Sequence, residues 1–90
     1  MKNTKKDTTI NLKKAQSHLG KVIKMIEDDE SCVNIMQQVL AVIGLLRSSH
    51  EKLMKNHLNT CFRKAMESKN ERKKKEMIEE ILKVTSLFNR

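Results

Sequence analysis

The chain has 90 residues, 19 Lys plus Arg against 11 Asp plus Glu, and a formal charge of +8, a balance that favours a polyanionic partner, either nucleic acid or an anionic membrane surface. At 38% hydrophobic it is too apolar for wholesale disorder, and zero Pro with two Gly argues against a turn-rich β architecture. With no Trp or Tyr, and only Phe62 and Phe88, it lacks an aromatic platform for stacking single-stranded bases.

Residues 1–8 are polar and basic and are expected to form a flexible arm. From about residue 9 to 27, Leu12, Ala15, Leu19, Val22, Ile23 and Ile26 recur at steps of three and four, which is the stripe of an amphipathic helix capped by Thr8 or Thr9. The acidic cluster Glu27-Asp28-Asp29-Glu30 reads as a junction, and Ser31 is a candidate N-cap for the next helix. That second helix is predicted over about 32–66, with Val33, Met36, Val39, Leu40, Val42, Ile43, Leu46, Leu53, Met54 and Leu58 among its apolar positions. Such a helix is roughly 50 Å long, more than two short flanking helices can cover, so self-association is expected. Residues 67–75 read as a charged connector. A third helix over about 76–88 places Ile78, Ile81, Leu82, Thr85 and Phe88 on its inner face. The expected fold is all-α, three helices in one domain spanning 1–90.

Residues 1–24 hold seven lysines and one Asp, a net +6, whereas residues 27–30 hold four acids. The first helix is therefore the leading electrostatic footprint for DNA phosphates, and His18 on it is a candidate for a structural or DNA-facing role. The longest apolar run falls far short of a membrane span, and no apolar stretch follows the N-terminal lysines as in a secretory signal. The expected location is the cytoplasm, where two cysteines are free thiols or core residues rather than a structural disulfide.

The candidate chemistry lies in Cys32, His57 and Cys61. His57 and Cys61 form an H-x3-C pattern, which puts both side chains on one helix face, one turn apart. Cys32 is 25 residues from His57, roughly 37 Å along a continuous helix, so one chain cannot unite the three. Two antiparallel copies of the second helix can, if they cross near Gly44, Leu45 and Leu46, where Gly44 would permit close approach. Two thiolates and an imidazole make a soft, three-coordinate set that suits Cu(I); Zn(II) normally takes a fourth ligand, and Ni(II) or Co(II) prefer more nitrogen or oxygen. His50 is about 10 Å from His57 along the helix, outside any shared coordination sphere. The bland alternative is that Cys32 and Cys61 are ordinary helix residues, and that Met25, Met36, Met54, Met66 and Met77 fill the core.

The stretch LKKAQSHLGKVIKMIEDDESCVNIMQQVLAVIGLLRSSHEKLMKNHLNTC, and above all KMIEDDESCVNIMQQVLAV and KNHLNTC, resembles the CsoR/RcnR family of bacterial metal-sensing transcriptional repressors, in its copper-sensing, CsoR-like branch. The likeness extends over about residues 10–88. It implies an antiparallel four-helix-bundle dimer, dimers pairing into a homotetramer, and operator DNA bound by a basic surface. The copper branch's Cys-His-Cys set maps onto Cys32, His57 and Cys61, while its outer-shell Glu matches Glu80. Its Tyr before the first cysteine is replaced by Ser31. The DNA-facing positions of the family are Asn11, Lys13, Lys14, Ser17, His18, Gly20 and Lys21 here; Asn11 and Gly20 fall where arginines are common.

These readings converge on a non-enzymatic, cytoplasmic repressor. Such a repressor is expected to bind double-stranded operator DNA through Lys13, Lys14, Lys21 and His18 in the apo form. Its release is expected when Cu(I) binds between subunits at Cys32, His57 and Cys61, with Glu80 and Ser31 as the outer shell that the resemblance implies. One alternative is a persulfide- or thiol-redox-sensing repressor of the same family that uses Cys32 and Cys61. Another is a copper-buffering helical protein without specific DNA binding.

Overall fold

The computed structural model describes the backbone of residues 2–89 and the side chains of residues 5–89; the two ends of the expected 1–90 domain lie outside the described residues. The elements are α1 (Lys2–Glu27), α2 (Cys32–His57), a π-helical turn (Leu58–Phe62), α3 (Arg63–Glu67) and α4 (Glu71–Phe88). The described residues contain no strand, as the all-α reading requires. They group into two compact units, one ending at Asn56 and one beginning at His57.

In the first unit α1 and α2 form an antiparallel hairpin. On α1 the positions facing α2 are Thr8, Asn11, Ala15, His18, Val22 and Met25. On α2 the buried and half-buried positions of the same spacing are Ile35, Gln38, Val42, Leu45, Ser49 and Lys52. Both sets alternate steps of three and four, the seam spacing of paired helices. Ala15, Val22 and Val42 are its buried apolar centre, with Ile35 and Leu45 packed against them. Much of the remaining seam is polar. Asn11 Nδ2 donates to Ser48 Oγ at 3.1 Å, and Ser49 Oγ donates back to the Leu45 carbonyl at 3.0 Å. Thr8 Oγ1 and His18 Nε2 are buried without a hydrogen-bond partner.

Helix α1 begins seven residues before the expected start at residue 9, so the stretch read as a flexible arm is helical from Lys2. Nothing in that stretch breaks a helix, and Thr8 and Asn11 are needed to face α2. Thr9 does not cap; its hydroxyl donates to the Lys5 carbonyl one turn back, at 2.8 Å. The acidic junction ends α1 as a Schellman motif, in which Glu30 N–H donates to the Met25 carbonyl (3.0 Å) and Asp29 N–H to the Ile26 carbonyl (3.2 Å). Asp29 sits at φ 53°, the left-handed position that glycine normally fills. Ser31 then starts α2 as expected, its Oγ accepting from Asn34 N–H at 3.4 Å.

Helical backbone continues from Cys32 to Glu67, close to the expected 32–66. Unbroken apolar residues extend only over Val39–Leu46, yet an 18-residue window of this helix reaches a mean hydropathy of 1.2, enough by length and composition to cross a bilayer. The expectation that no stretch approaches a membrane span is corrected to that extent. Gln37, Arg47, Glu51 and Lys55 nevertheless give α2 a polar face, the pattern of a helix that packs against other helices.

In the second unit, Ala65 is buried and Ser68 closes α3, its Oγ donating to the Ala65 carbonyl at 2.6 Å. Helix α4 starts at Glu71, not 76, because Asn70 Oδ1 accepts from Lys73 N–H at 3.1 Å. The lysine run read as a connector is thus the first turns of a helix, where Arg72–Glu76 and Lys74–Glu71 pair on the surface. The half-buried side of α4 runs through Lys74, Met77, Ile81 and Phe88, while Ile78, Leu82 and Thr85, expected inside, are exposed, the first two by 44% and 64%.

Two substitutions test this local physics in denaturant titrations at fixed protein concentration. Asp29→Gly removes the left-handed penalty and raises stability by about 1 kcal/mol. His18→Leu replaces a buried unpartnered nitrogen with apolar surface, and the unfolding midpoint rises; a lower midpoint for either variant contradicts the corresponding assignment.

Candidate metal centre

Cys32 is the first residue of α2, where the Ser31 cap starts the helix, and its thiol is exposed. His57 is the last residue of α2 and is half-buried. Cys61 follows in the π turn, also as an exposed free thiol. Among the described residues, no three His, Cys, Asp or Glu side chains of one chain gather closely enough to hold a metal. Two of the three candidate ligands are neighbours in sequence within the second unit, and the third belongs to the first.

The π turn is the feature that sequence reasoning missed. An α-helical H-x3-C would align both side chains on one face, but here an extra residue is taken up in the turn Leu58–Phe62 between His57 and Arg63. The angular relation of imidazole to thiol is therefore set by a π turn, a device common at functional sites. Propensity carries no signal for it: Leu58, Asn59, Thr60, Cys61 and Phe62 would all fit an ordinary helix. Cys61 lines a shallow depression with Asn59, Thr60, Arg63 and Lys64. Arg63 is drawn to Glu67 one turn on, at 3.3 Å.

Glu80 is exposed on α4, and Ser31 Oγ accepts the capping bond from Asn34 N–H. His50 is half-buried on α2 and engaged in an interaction of its own. Gly44 is exposed on α2, and a Cβ added there would meet nothing within 4 Å in this chain.

The basic candidates divide. Lys13, Lys14 and Lys21 are exposed on α1. His18 is not beside them; it points into the α1–α2 seam, so its structural role replaces the expected DNA-facing one. Asn11 likewise is tied across the hairpin to Ser48. Two lysines not singled out from the sequence join the exposed face, Lys6 and Lys24, and the spacing Lys6–Lys13–Lys24 on one side of α1 was the signal available for them.

The copper-sensing transcriptional repressor CsoR of Mycobacterium ulcerans (strain Agy99) is 41% identical over 63 residues, covering 69% of this chain and 54% of that protein. The copper-sensing transcriptional repressor RicR of Mycobacterium tuberculosis (strain ATCC 25618 / H37Rv) is 31% identical over 55 residues, covering 61% and 57%. The chain spans about half the length of these curated relatives. The crystal structure of the copper-sensing repressor CsoR with Cu(I) from Geobacillus thermodenitrificans NG80-2 superposes with a TM-score of 0.86 at 27% identity, over 100% of this chain and 91% of that one. The model of the metal-sensitive transcriptional repressors matches residues 4–86, nearly all of the helical chain just described, and the chain belongs to that family.

Proposed function

We propose that this protein is a copper(I)-responsive transcriptional repressor, acting in the cytoplasm as a dimer or tetramer, whose metal site forms between subunits from Cys32 of one chain and His57 and Cys61 of another. The observation that carries the proposal is the exposed stripe of α2. Met36, Val39, Ile43, Leu46 and Leu53 are 39–57% exposed. With Cys32, His50 and His57 they follow alternating steps of four and three along one face.

Two antiparallel copies of that stripe fit in one register. Met36 faces Leu53, Val39 faces His50, and Ile43 faces Leu46 on either side of a two-fold axis. The same register sets Cys32 opposite His57, because each of these pairs of residue numbers totals 89. Burying the stripe therefore brings the ends of two helices together at both ends of the interface, with Cys61 one turn beyond His57. Isologous pairing of this kind repeats the site twice per dimer.

The donor set fits the ion that the relatives sense. Two thiolates and one imidazole satisfy Cu(I) at three coordinates, and neither cysteine is consumed in a disulfide. Cu(I) bound there supplies a bond between subunits. Glu80 is the proposed acid that orients the His57 imidazole, since outer partners fix ring orientation and link it to other structure. Ser31, next to Cys32, keeps its hydroxyl proton for a further bond and belongs to the same proposed outer shell.

In the apo protein, Lys13, Lys14 and Lys21 hold operator DNA. Joining Cys32 to His57 and Cys61 favours an arrangement of subunits with lower DNA affinity, and reciprocity requires DNA to weaken copper binding by the same factor.

An anaerobic Cu(I) titration read by X-ray absorption should show two sulfur and one nitrogen donors. Cys32→Ala should lose tight Cu(I) binding while apo DNA affinity stays within about twofold, a change of roughly 0.4 kcal/mol. Unaltered copper affinity in that variant removes the site assignment. A full response to polysulfide by a His57→Ala variant would favour the thiol switch instead.

A further inference from the structure

Between its two ends, the row of α2 that a second copy would cover contains one imidazole. His50 is half-buried there, in step with Met36, Val39, Ile43, Leu46 and Leu53. A polar ring covered by an apolar seam needs polar or ligand partners. An imidazole has two ring nitrogens, so the interaction His50 already makes at one of them leaves the other for a ligand.

Soft donors stand on either side of it. Met54 is four residues on, one turn along the same side of α2, and is half-buried. Met36 is 57% exposed, so it does not fill the core of its own chain as the methionines were expected to do. In the antiparallel register Met36 of one chain faces Leu53 of the other. A side chain so placed packs as a knob into a hole of four residues on the facing helix, here His50, Leu53, Met54 and His57. The pairing that covers the row thus carries the Met36 thioether to the hollow where His50 and Met54 meet.

We propose a second metal site inside the α2 pair, formed by the Met36 thioether of one chain with the His50 imidazole and Met54 thioether of the other, which takes Cu(I). Thioether sulfur is a soft donor that selects Cu(I) over harder divalent cations. None of these donors is anionic, whereas Cys32 and Cys61 bind as thiolates, so the second site is the weaker and fills after the first. Met36 is four residues from Cys32, and Met54 three from His57, which sets this site one turn inward of each end and repeats it twice per dimer. It rests on the antiparallel pairing proposed above and uses none of the ligands at its ends. When copper is in excess, it adds a further bond between the two chains.

The experiment is an anaerobic titration of the full-length protein, labelled with 13C at the methionine methyl groups, with Cu(I) under a competing chelator. Cu(I) is diamagnetic, so the methyl resonances report binding directly. The methyls of Met36 and Met54 should move together with the second equivalent per chain, while those of Met25, Met66 and Met77 stay in place. Met36→Leu, Met54→Leu and His50→Leu should each weaken the second equivalent at least about tenfold and change the first by less than about twofold. Methionine to leucine conserves volume, and light scattering confirms that each variant remains dimeric. In the double variant Cys32→Ala, Cys61→Ala, the same two methyls should move with the first Cu(I) added. A second equivalent that leaves either methyl in place, or that binds equally well in any of the three leucine variants, overturns the proposal and leaves the Cys-His-Cys site standing. Loss of the tight first equivalent with both methyls still moving removes the Cys-His-Cys reading and keeps this one. An apo protein that is monomeric removes the antiparallel pairing, and this inference with it.

Discussion

One chain leaves the apolar stripe of α2 uncovered. The hairpin with α1 occupies only the side that carries Ile35, Val42 and Leu45, and its buried apolar centre is three residues. One position round the helix, Met36, Val39, Ile43, Leu46 and Leu53 remain open to water. Apolar surface in a continuous row on a single helix is costly in water and is covered by a partner of matching spacing. A second copy of α2 has that spacing by construction. The pairing that covers the row also decides which chemistry-bearing residues meet, so the assembly and the proposed metal site share one geometric cause.

Within the chain the distribution is reversed. The seam between α1 and α2 is where apolar residues would be expected, yet it carries Thr8, Asn11, His18, Gln38 and Ser49, with two polar atoms unpartnered. A hairpin so constructed depends on its neighbours and holds α1 to α2 through few apolar contacts. In the proposed mechanism this places the lysine-bearing helix on a weak joint, beside the helix whose ends carry Cys32 and His57. A change in how two α2 helices meet then reaches the DNA-facing side across one seam rather than through a rigid core. The physical content of such coupling is the existence of two arrangements that both ligands bias.

Much of the architecture was legible in the sequence because apolar periodicity is a direct record of which face is covered. The end of α1 at the acidic junction, the Ser31 cap and the run to about residue 66 all follow from that pattern. The starts of α1 and α4 were misplaced for a different reason. Charge was read as a sign of loop, whereas Lys2–Thr9 contains nothing that breaks a helix, and Asn70 caps the lysine run. Cys32, His57 and Cys61 could be named from donor chemistry and spacing, but their mutual arrangement could not. The π turn at Leu58–Phe62 has no propensity signature, and the burial of His18 depends on which side of α1 faces α2.

The central claim, that each site is completed by a second subunit, is tested most directly by complementation. Two inactive variants, Cys32→Ala and Cys61→Ala, are denatured together and refolded as mixed dimers. The account predicts that each mixed dimer regains one site of unimpaired Cu(I) affinity, since one end pairs an intact Cys32 with an intact His57 and Cys61 while the other end carries both substitutions. If mixed dimers form and bind Cu(I) no better than either variant alone, the ligands do not come from two chains, and the account is contradicted.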